Sequence, residues 1–300
     1  MTTPEIGVIG LGNMGRGIAD NFARAGHATA VWDLNADARA PFEARSDTIV
    51  MSPGEMAAAG AMMVYVVPAT PEIESSFEGP DGVLAMTGEG TIIFDLTTSF
   101  PEDTKQIAAR AAERGITYLD AAMSGGATGA DAGSLTLMVG GDEAAFEACR
   151  ARLDAIADNL FFLGDVGSGH AMKLIHNMVV HAVFLTNCEA GRMAERAGLK
   201  LEDMIAVFNK SNARSYASEA RFPKHILSEK WDARSRVYNL NKDLGMAVRL
   251  AESLGMDARY ARETSGFLNK AIDRGMAEDD YSLLYPAFDD IRDMERSEEH

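Results

Sequence analysis

Gly10-Leu11-Gly12-Asn13-Met14-Gly15 is the stretch on which the reading of this chain turns. It fits G-x-G-x-x-G, and it sits where that pattern has meaning. Residues 5–9, with an apolar run from Ile6 to Ile9, read as a strand, and residues 14–25 read as a helix with Ile18 and Phe22 on one face. Each glycine has a physical reason. Gly10 permits a tight turn out of the strand, Gly12 lets a pyrophosphate approach the backbone, and Gly15 lets the helix lie close on the strand. The helix N-terminus then offers free N–H groups and the positive end of its dipole to phosphate, with Leu11, Asn13 and Met14 supplying the intervening backbone.

Outward from the motif, residues 28–32 read as a second strand that ends in Asp33, 18 residues after Gly15. A carboxylate there accepts from ribose hydroxyls, which makes the stretch a dinucleotide site. Asp33 also argues for NAD over NADP, because a 2′-phosphate would meet its charge. No arginine follows directly: Leu34 and Asn35 come next, and Arg39 is six residues on. The plain alternative for Asp33 is a helix cap or turn residue.

Residues 62–67, 91–95, 117–119 and 135–139 read as further strands, with helical stretches such as 101–113 and 143–155 between several of them. Continuous apolar strands separated by amphipathic helices predict a mostly parallel, doubly wound sheet covered on both faces. After Gly169 the pattern is almost wholly helical. Residues 171–197 contain no proline and predict a helix of roughly 40 Å, longer than one small domain needs. Residues 201–208, 240–253 and 258–275 read as shorter helices. The expected architecture is therefore α/β. An N-terminal Rossmann-type domain covers residues 1–165, and an all-α C-terminal domain covers 166–300. The second includes a long inter-domain helix at about 170–197. The glycine-rich hinge lies at 165–169, and the charged tail from Asp289 is expected to fray.

The bulk composition narrows the class. The chain has 300 residues, 47% hydrophobic and 24% charged, enough for two globular domains. Asp and Glu number 45 against 28 Lys and Arg, giving a formal charge of −17. Such a surface repels nucleic acid and anionic lipid, so neither is an expected partner. An anionic substrate would need local donors to overcome the repulsive far field. Cys149 and Cys188 form no CxxC pair and read as reduced, buried thiols of a cytoplasmic protein. The opening MTTPE carries no basic region before its apolar run, so no secretory signal is expected. The longest apolar runs, such as residues 61–67, fall far short of the ~20 residues that span a bilayer. The histidines, including His170, His176 and His181, lack metal-ligand spacing, and no metal site is expected. The 17 methionines read as core filler.

Two further motifs carry chemistry. Asp120-Ala121-Ala122-Met123-Ser124-Gly125-Gly126 follows a strand, and a Ser-Gly-Gly turn exposes consecutive backbone N–H groups that suit a carboxylate. An ordinary loop is the alternative. Gly167-Ser168-Gly169 leads into a helix that carries Lys173 and, four residues on, Asn177, both on one face. A lysine partly buried by cofactor and substrate can act as general acid/base, and an asparagine beside it can fix a substrate oxygen. The alternative is a solvated surface lysine.

Taken in order, GLGNMG, the 120–126 motif, GSGxxxK with Asn177, and Lys242-Asp243-Leu244 resemble the β-hydroxyacid dehydrogenase family, which includes 3-hydroxyisobutyrate dehydrogenase and tartronate semialdehyde reductase. The resemblance spans roughly residues 5 to 290. It implies an NAD-dependent oxidoreductase moving a hydride between NAD and a small anionic 3-hydroxy acid or its semialdehyde. It implies Lys173 as the catalytic lysine, with Ser124, Gly125, Gly126 and Asn177 binding substrate. It also implies that Pro68, Thr98 and Lys242 lie against the cofactor, and that the protein is a homodimer or homotetramer. The pocket wall departs from the family pattern. Ala122-Met123 replaces Pro-Val, His176-Asn177 replaces Asn-Asn, Ser235 replaces a phenylalanine and Asn239 a leucine. Arg214 and Arg236 are candidates for a second anionic group, with surface arginines as the plain reading. Rival functions are a reductase of a 2-hydroxy acid, semialdehyde or imine, and a non-catalytic NAD-binding scaffold. Lys173 speaks against the imine and scaffold readings.

Overall fold

The computed structural model describes residues 3–88 and 90–293. The chain divides into two compact units, Met1–Lys173 and Leu174–His300. The division falls inside one long helix, a few residues beyond the glycine-rich hinge read from the sequence.

The first unit is built on one eight-stranded sheet of order β3-β2-β1-β4-β5-β6-β7-β8. The strands are β1 (Ile6–Ile9), β2 (Thr29–Trp32), β3 (Thr48–Val50), β4 (Met62–Tyr65), β5 (Ile92–Asp95), β6 (Thr117–Ser124), β7 (Leu135–Gly140) and β8 (Ala157–Phe162). All neighbours are parallel except β6 and β7. Side chains alternate between the two faces. Ile6, Val8, Val64 and Phe94 join one core with Ile18 and Phe22, whereas Ile9, Met63, Tyr65 and Ile93 join another with Met56, Phe77 and Ile107. Burial on both faces is why these strands are apolar throughout rather than alternating.

Helices α1 (Gly15–Arg24), α2 (Ala36–Glu43), α3 (Pro53–Ala58), α4 (Thr70–Phe77), α5 (Val83–Met86), α6 (Pro101–Ala112), α7 (Gly126–Ala132) and α8 (Glu143–Leu153) connect the strands. Local chemistry starts them. Asn35 and Asp142 cap α2 and α8, Ser52 and Glu55 form a capping box on α3, and Pro101 opens α6.

Three points differ from the sequence reading. Strands β3 and β8 carry no clear apolar run. The first is three residues long, and the second exposes Asp158, Asn159 and Phe161. Strand β6 runs on to Ser124, so residues 120–124 are strand rather than the loop after one. The long helix α9 spans Ser168–Arg196, beginning earlier than residue 171, and its 29 residues make it roughly 43 Å long.

The second unit is helical. Beyond α9 come α10 (Leu201–Phe208), a π-helix (Ala217–Ile226), α11 (Val237–Ser253), α12 (Arg259–Asp273) and α13 (Phe288–Asp293). Its core gathers Phe184, Leu185 and Cys188 of α9, Phe222 of the π-helix, Leu240 and Leu244 of α11, Leu268 of α12, and Tyr281 and Leu284. Of the tail expected to fray, residues 289–293 are helical and residues 294–300 lie outside the described residues.

Candidate active site

In the sheet unit the candidate residues converge on one edge. Strands β1, β2, β4, β5 and β6 are mutually parallel, so their C-terminal ends share that edge. Residues 10–15 follow β1, Asp33 follows β2, Pro68 follows β4, Thr98 follows β5, and Ser124 ends β6. The strand order reverses between β1 and β4, the position where open α/β sheets bind ligands.

The three glycines of the first turn differ in what holds them. Gly10 has φ +96°, and a Cβ there would lie 2.3 Å from the Val66 carbonyl oxygen. A Cβ on Gly15 would lie 1.7 Å from the Gly10 carbonyl oxygen. Packing therefore forbids any other residue at either position. A Cβ on Gly12 would meet nothing within 4 Å, so the protein's own packing does not require glycine there. What Gly12 provides is open space beside an uncapped helix start: Met14 gives α1 no side-chain cap, and no acidic residue occupies the first turn. That space and those donors fit a pyrophosphate. Asp33 is half-buried. Its Oδ2 accepts from the Leu11 N–H at 2.7 Å and its Oδ1 from the Asn35 N–H at 2.8 Å, so it also braces the turn. Arg39 reaches back to the Asp33 carbonyl at 2.6 Å and lies over the Trp32 ring, 4.6 Å from its centroid.

Two buried aspartates set the neighbouring loops. Asp95 accepts from the Thr97 N–H at 2.9 Å and from the Tyr118 hydroxyl at 2.8 Å, which fixes the turn that carries half-buried Thr98. Burial and the adjacent Asp95 carboxylate push the Tyr118 hydroxyl well above its ordinary range. Thr70 donates to Ser99 at 3.1 Å, tying the loop after β4 to the loop after β5.

Asp120 lies on β6 and accepts from the backbone N–H groups of Gly167 at 2.7 Å and His170 at 2.8 Å. Burial pushes its carboxyl up, while His170 and those two donors pull it down. His170 is a core histidine, 2.7 Å from the Thr104 hydroxyl and 3.7 Å from Asp95. Gly169 lets the helix approach closely, since a Cβ would lie 2.2 Å from the Met138 carbonyl oxygen. The first turn of α9 is thus fastened to β6, and half-buried Lys173 follows within that turn's reach. At the far end of β6, Gly125 and Gly126 have φ +130° and +62°, backbone that favours glycine, and both are exposed.

The helical unit brings a second group together. Buried Asn177 donates from Nδ2 to Asp243 Oδ2 at 2.6 Å, and its Oδ1 lies 3.0 Å from His176 Nδ1. Lys242 Nζ lies 3.6 Å from Asp243 Oδ1. Asp243 therefore links the asparagine of α9 to the lysine of α11. The two arginines raised as partners for a second anion are ion-paired instead. Arg214 is 65% exposed and 3.7 Å from Glu219, and Arg236 is 48% exposed and 2.6 Å from Glu278. Two open cavities of this unit, about 490 Å³ beside Trp231 and Tyr285 and about 620 Å³ beside Asn209 and Arg214, contain none of the residues assigned to cofactor or proton transfer. Sequence reasoning gave Asp95 and Asp120 no role of their own, although both end or follow apolar strands, where buried carboxylates commonly hold loops.

A glycine turn at the reversal point of a Rossmann-type sheet, followed by a long helix and an all-helical unit, defines an NAD-binding oxidoreductase. The comparisons narrow the class. A family model described as the NAD binding domain of 6-phosphogluconate dehydrogenase matches residues 5–164, and one described as NAD-binding of NADP-dependent 3-hydroxyisobutyrate dehydrogenase matches residues 167–288. The chain is 32% identical over 287 residues to 2-(hydroxymethyl)glutarate dehydrogenase of Eubacterium barkeri, covering 96% of this chain and 95% of that one. It is 30% identical over 292 residues to the NAD-dependent L-serine dehydrogenase of Pseudomonas aeruginosa, covering 95% and 98%. Among solved structures, the 3-hydroxyisobutyrate dehydrogenase of Mycobacterium tuberculosis with L-serine superposes at a TM-score of 0.84. Its identity is 26%, with 96% of this chain and 99% of that one covered. The chain belongs to the β-hydroxyacid dehydrogenase family.

Proposed function

We propose that this protein oxidises a small 3-hydroxy acid, or reduces its semialdehyde, with NAD as cofactor and Lys173 as general acid/base. The observation that carries the reading is the fastening of the first turn of α9 to β6 through Asp120, which fixes the helix bearing Lys173. In oxidation Lys173 takes the proton of the substrate hydroxyl, and in reduction it returns it. The backbone N–H groups of Ser124, Gly125 and Gly126 hold the substrate carboxylate. Asn177, with its amide pinned by Asp243 and His176, offers its second Nδ2–H to a substrate oxygen. NAD, when bound, supplies the hydride acceptor. Residues 10–15 and Asp33 hold its pyrophosphate and ribose, and Pro68, Thr98 and Lys242 flank it. Residues 1–165 serve as the dinucleotide-binding domain and 166–300 as the C-terminal domain.

Two buried free thiols, Cys149 and Cys188, support a reducing, cytoplasmic setting, and burial raises both. No described helix is long and apolar enough to cross a membrane. Exposed Ile175, Val179 and Met193 along α9 support a homodimer or homotetramer. The test is nicotinamide absorbance with NAD and a panel of 3-hydroxy acids, and in reverse with semialdehydes. Turnover of at least one is expected. NAD binding without turnover of any would defeat the proposal.

A further inference from the structure

Four side chains of the helical unit meet where α9 and α11 touch: His176 and Asn177 on the first, Lys242 and Asp243 on the second. Asn177 is buried, and its Nδ2 donates to Asp243 Oδ2 at 2.6 Å. Its Oδ1 lies 3.0 Å from His176 Nδ1. The other Asp243 oxygen lies 3.6 Å from Lys242 Nζ. These bonds have a direction, because their members differ in what they can donate and accept.

A carboxylate beside an ammonium accepts and does not donate. Asn177 meets it with an N–H, since the reversed amide would set a carbonyl oxygen 2.6 Å from a carboxylate oxygen, two acceptors face to face and largely out of water. The Asn177 carbonyl is thereby turned to His176. That oxygen is an acceptor too, so His176 Nδ1 is the donor. Which nitrogen of a neutral imidazole carries the proton is set by such a bond, and here it is Nδ1. With Oδ1 given to His176 and one N–H to Asp243, what Asn177 has left for a substrate is its second N–H.

We propose that Asp243 is a positioning residue that sets the polarity of the substrate site: it makes Asn177 a hydrogen-bond donor to substrate and, through Asn177, holds His176 in the Nδ1–H form. A substrate must then bring an acceptor to Asn177, and a donor-only ammonium is refused there. The inference rests on the substrate-binding role proposed above for Asn177, but the tautomer is read without any reaction. The full-length protein with isotope-labelled histidine is followed by side-chain NMR as pH is raised until His176 is neutral, its signal assigned by its loss in H176Q. The wild type should carry the proton on Nδ1. In D243N, which is nearly the same size, the Asn177 amide can turn either way, and His176 should show a mixture of tautomers. The KM of the best hydroxy acid should rise about tenfold in D243N, with kcat changed less than about threefold.

The exchange N177D/D243N separates polarity from packing, and it carries the same test should D243N lose its fold. It restores the bond with donor and acceptor reversed, so it should unfold at a higher temperature than N177D alone, in which two carboxylates face each other. The side chain at 177 can then only accept, and KM should stay about tenfold or more above wild type. Nε2–H in neutral wild-type His176, a tautomer or KM unmoved in D243N, or a KM back at its wild-type value in the exchange overturns the inference. A tautomer that follows Asp243 in a protein that turns over no hydroxy acid would indict the proposed reaction and leave the positioning role standing.

Discussion

The candidate residues of the sheet unit and those of the helical unit are fixed by different means. At the edge of the sheet, Asp33, Asp95 and Asp120 all accept from backbone N–H groups of neighbouring loops. Around Asn177 and Arg221 in the helical unit the polar contacts run between side chains: Asn177 with Asp243, Lys242 with Asp243, and Arg221 between two tyrosines. Backbone-anchored carboxylates hold a shape that tolerates few replacements, which suits a cofactor common to many substrates. Side-chain clamps change with one substitution, which suits the choice of substrate. The first region should therefore respond to mutation in folding and cofactor affinity, and the second in substrate preference.

The largest effect should come from Gly15→Ala, because its Cβ would lie 1.7 Å from the Gly10 carbonyl oxygen. It should cost about 3 kcal/mol or more and abolish NAD binding, measured by chemical denaturation and cofactor titration. Asp120→Ala should come next. It strips two buried N–H groups of their acceptor, for about 2–4 kcal/mol, and lowers turnover by loosening the start of α9. Gly12→Ala separates cofactor binding from folding. Its Cβ meets nothing within 4 Å, so stability should stay within about 0.5 kcal/mol of wild type. NAD affinity should nevertheless fall about tenfold, because the methyl enters the space assigned to pyrophosphate. A Gly12→Ala protein that binds NAD normally would remove the turn from its role. The smallest effect should be at the thiols: Cys149 and Cys188 are buried, and a thiol reagent should leave the native protein unlabelled until it is denatured.

How far the sequence could be read follows from the same contrast. Strands β1, β4 and β5 are buried on both faces, so their apolar runs stand out. The edge strand β8 alternates toward solvent and does not. The extension of β6 to Ser124 hid behind small residues, Ala121 and Ala122, that carry little strand preference. The glycine turn was legible because Gly10 and Gly15 answer steric demands of the fold and Gly12 leaves open space beside the helix start. The tyrosine clamp on Arg221 was not, because a pattern with 3.6 residues per turn puts Tyr216 and Arg221 on different faces and only the π-helix aligns them. Arg214 and Arg236 are candidates for a second anion in the sequence, and the glutamates that pair them are visible only in three dimensions.

The most direct test is Lys173→Ala, with turnover and NAD affinity measured on the same preparation. Turnover on the best hydroxy acid should fall by about 10²–10⁴-fold while the NAD dissociation constant stays at its wild-type value. Near-normal turnover in that variant would contradict the assignment of Lys173 as the proton-transferring group.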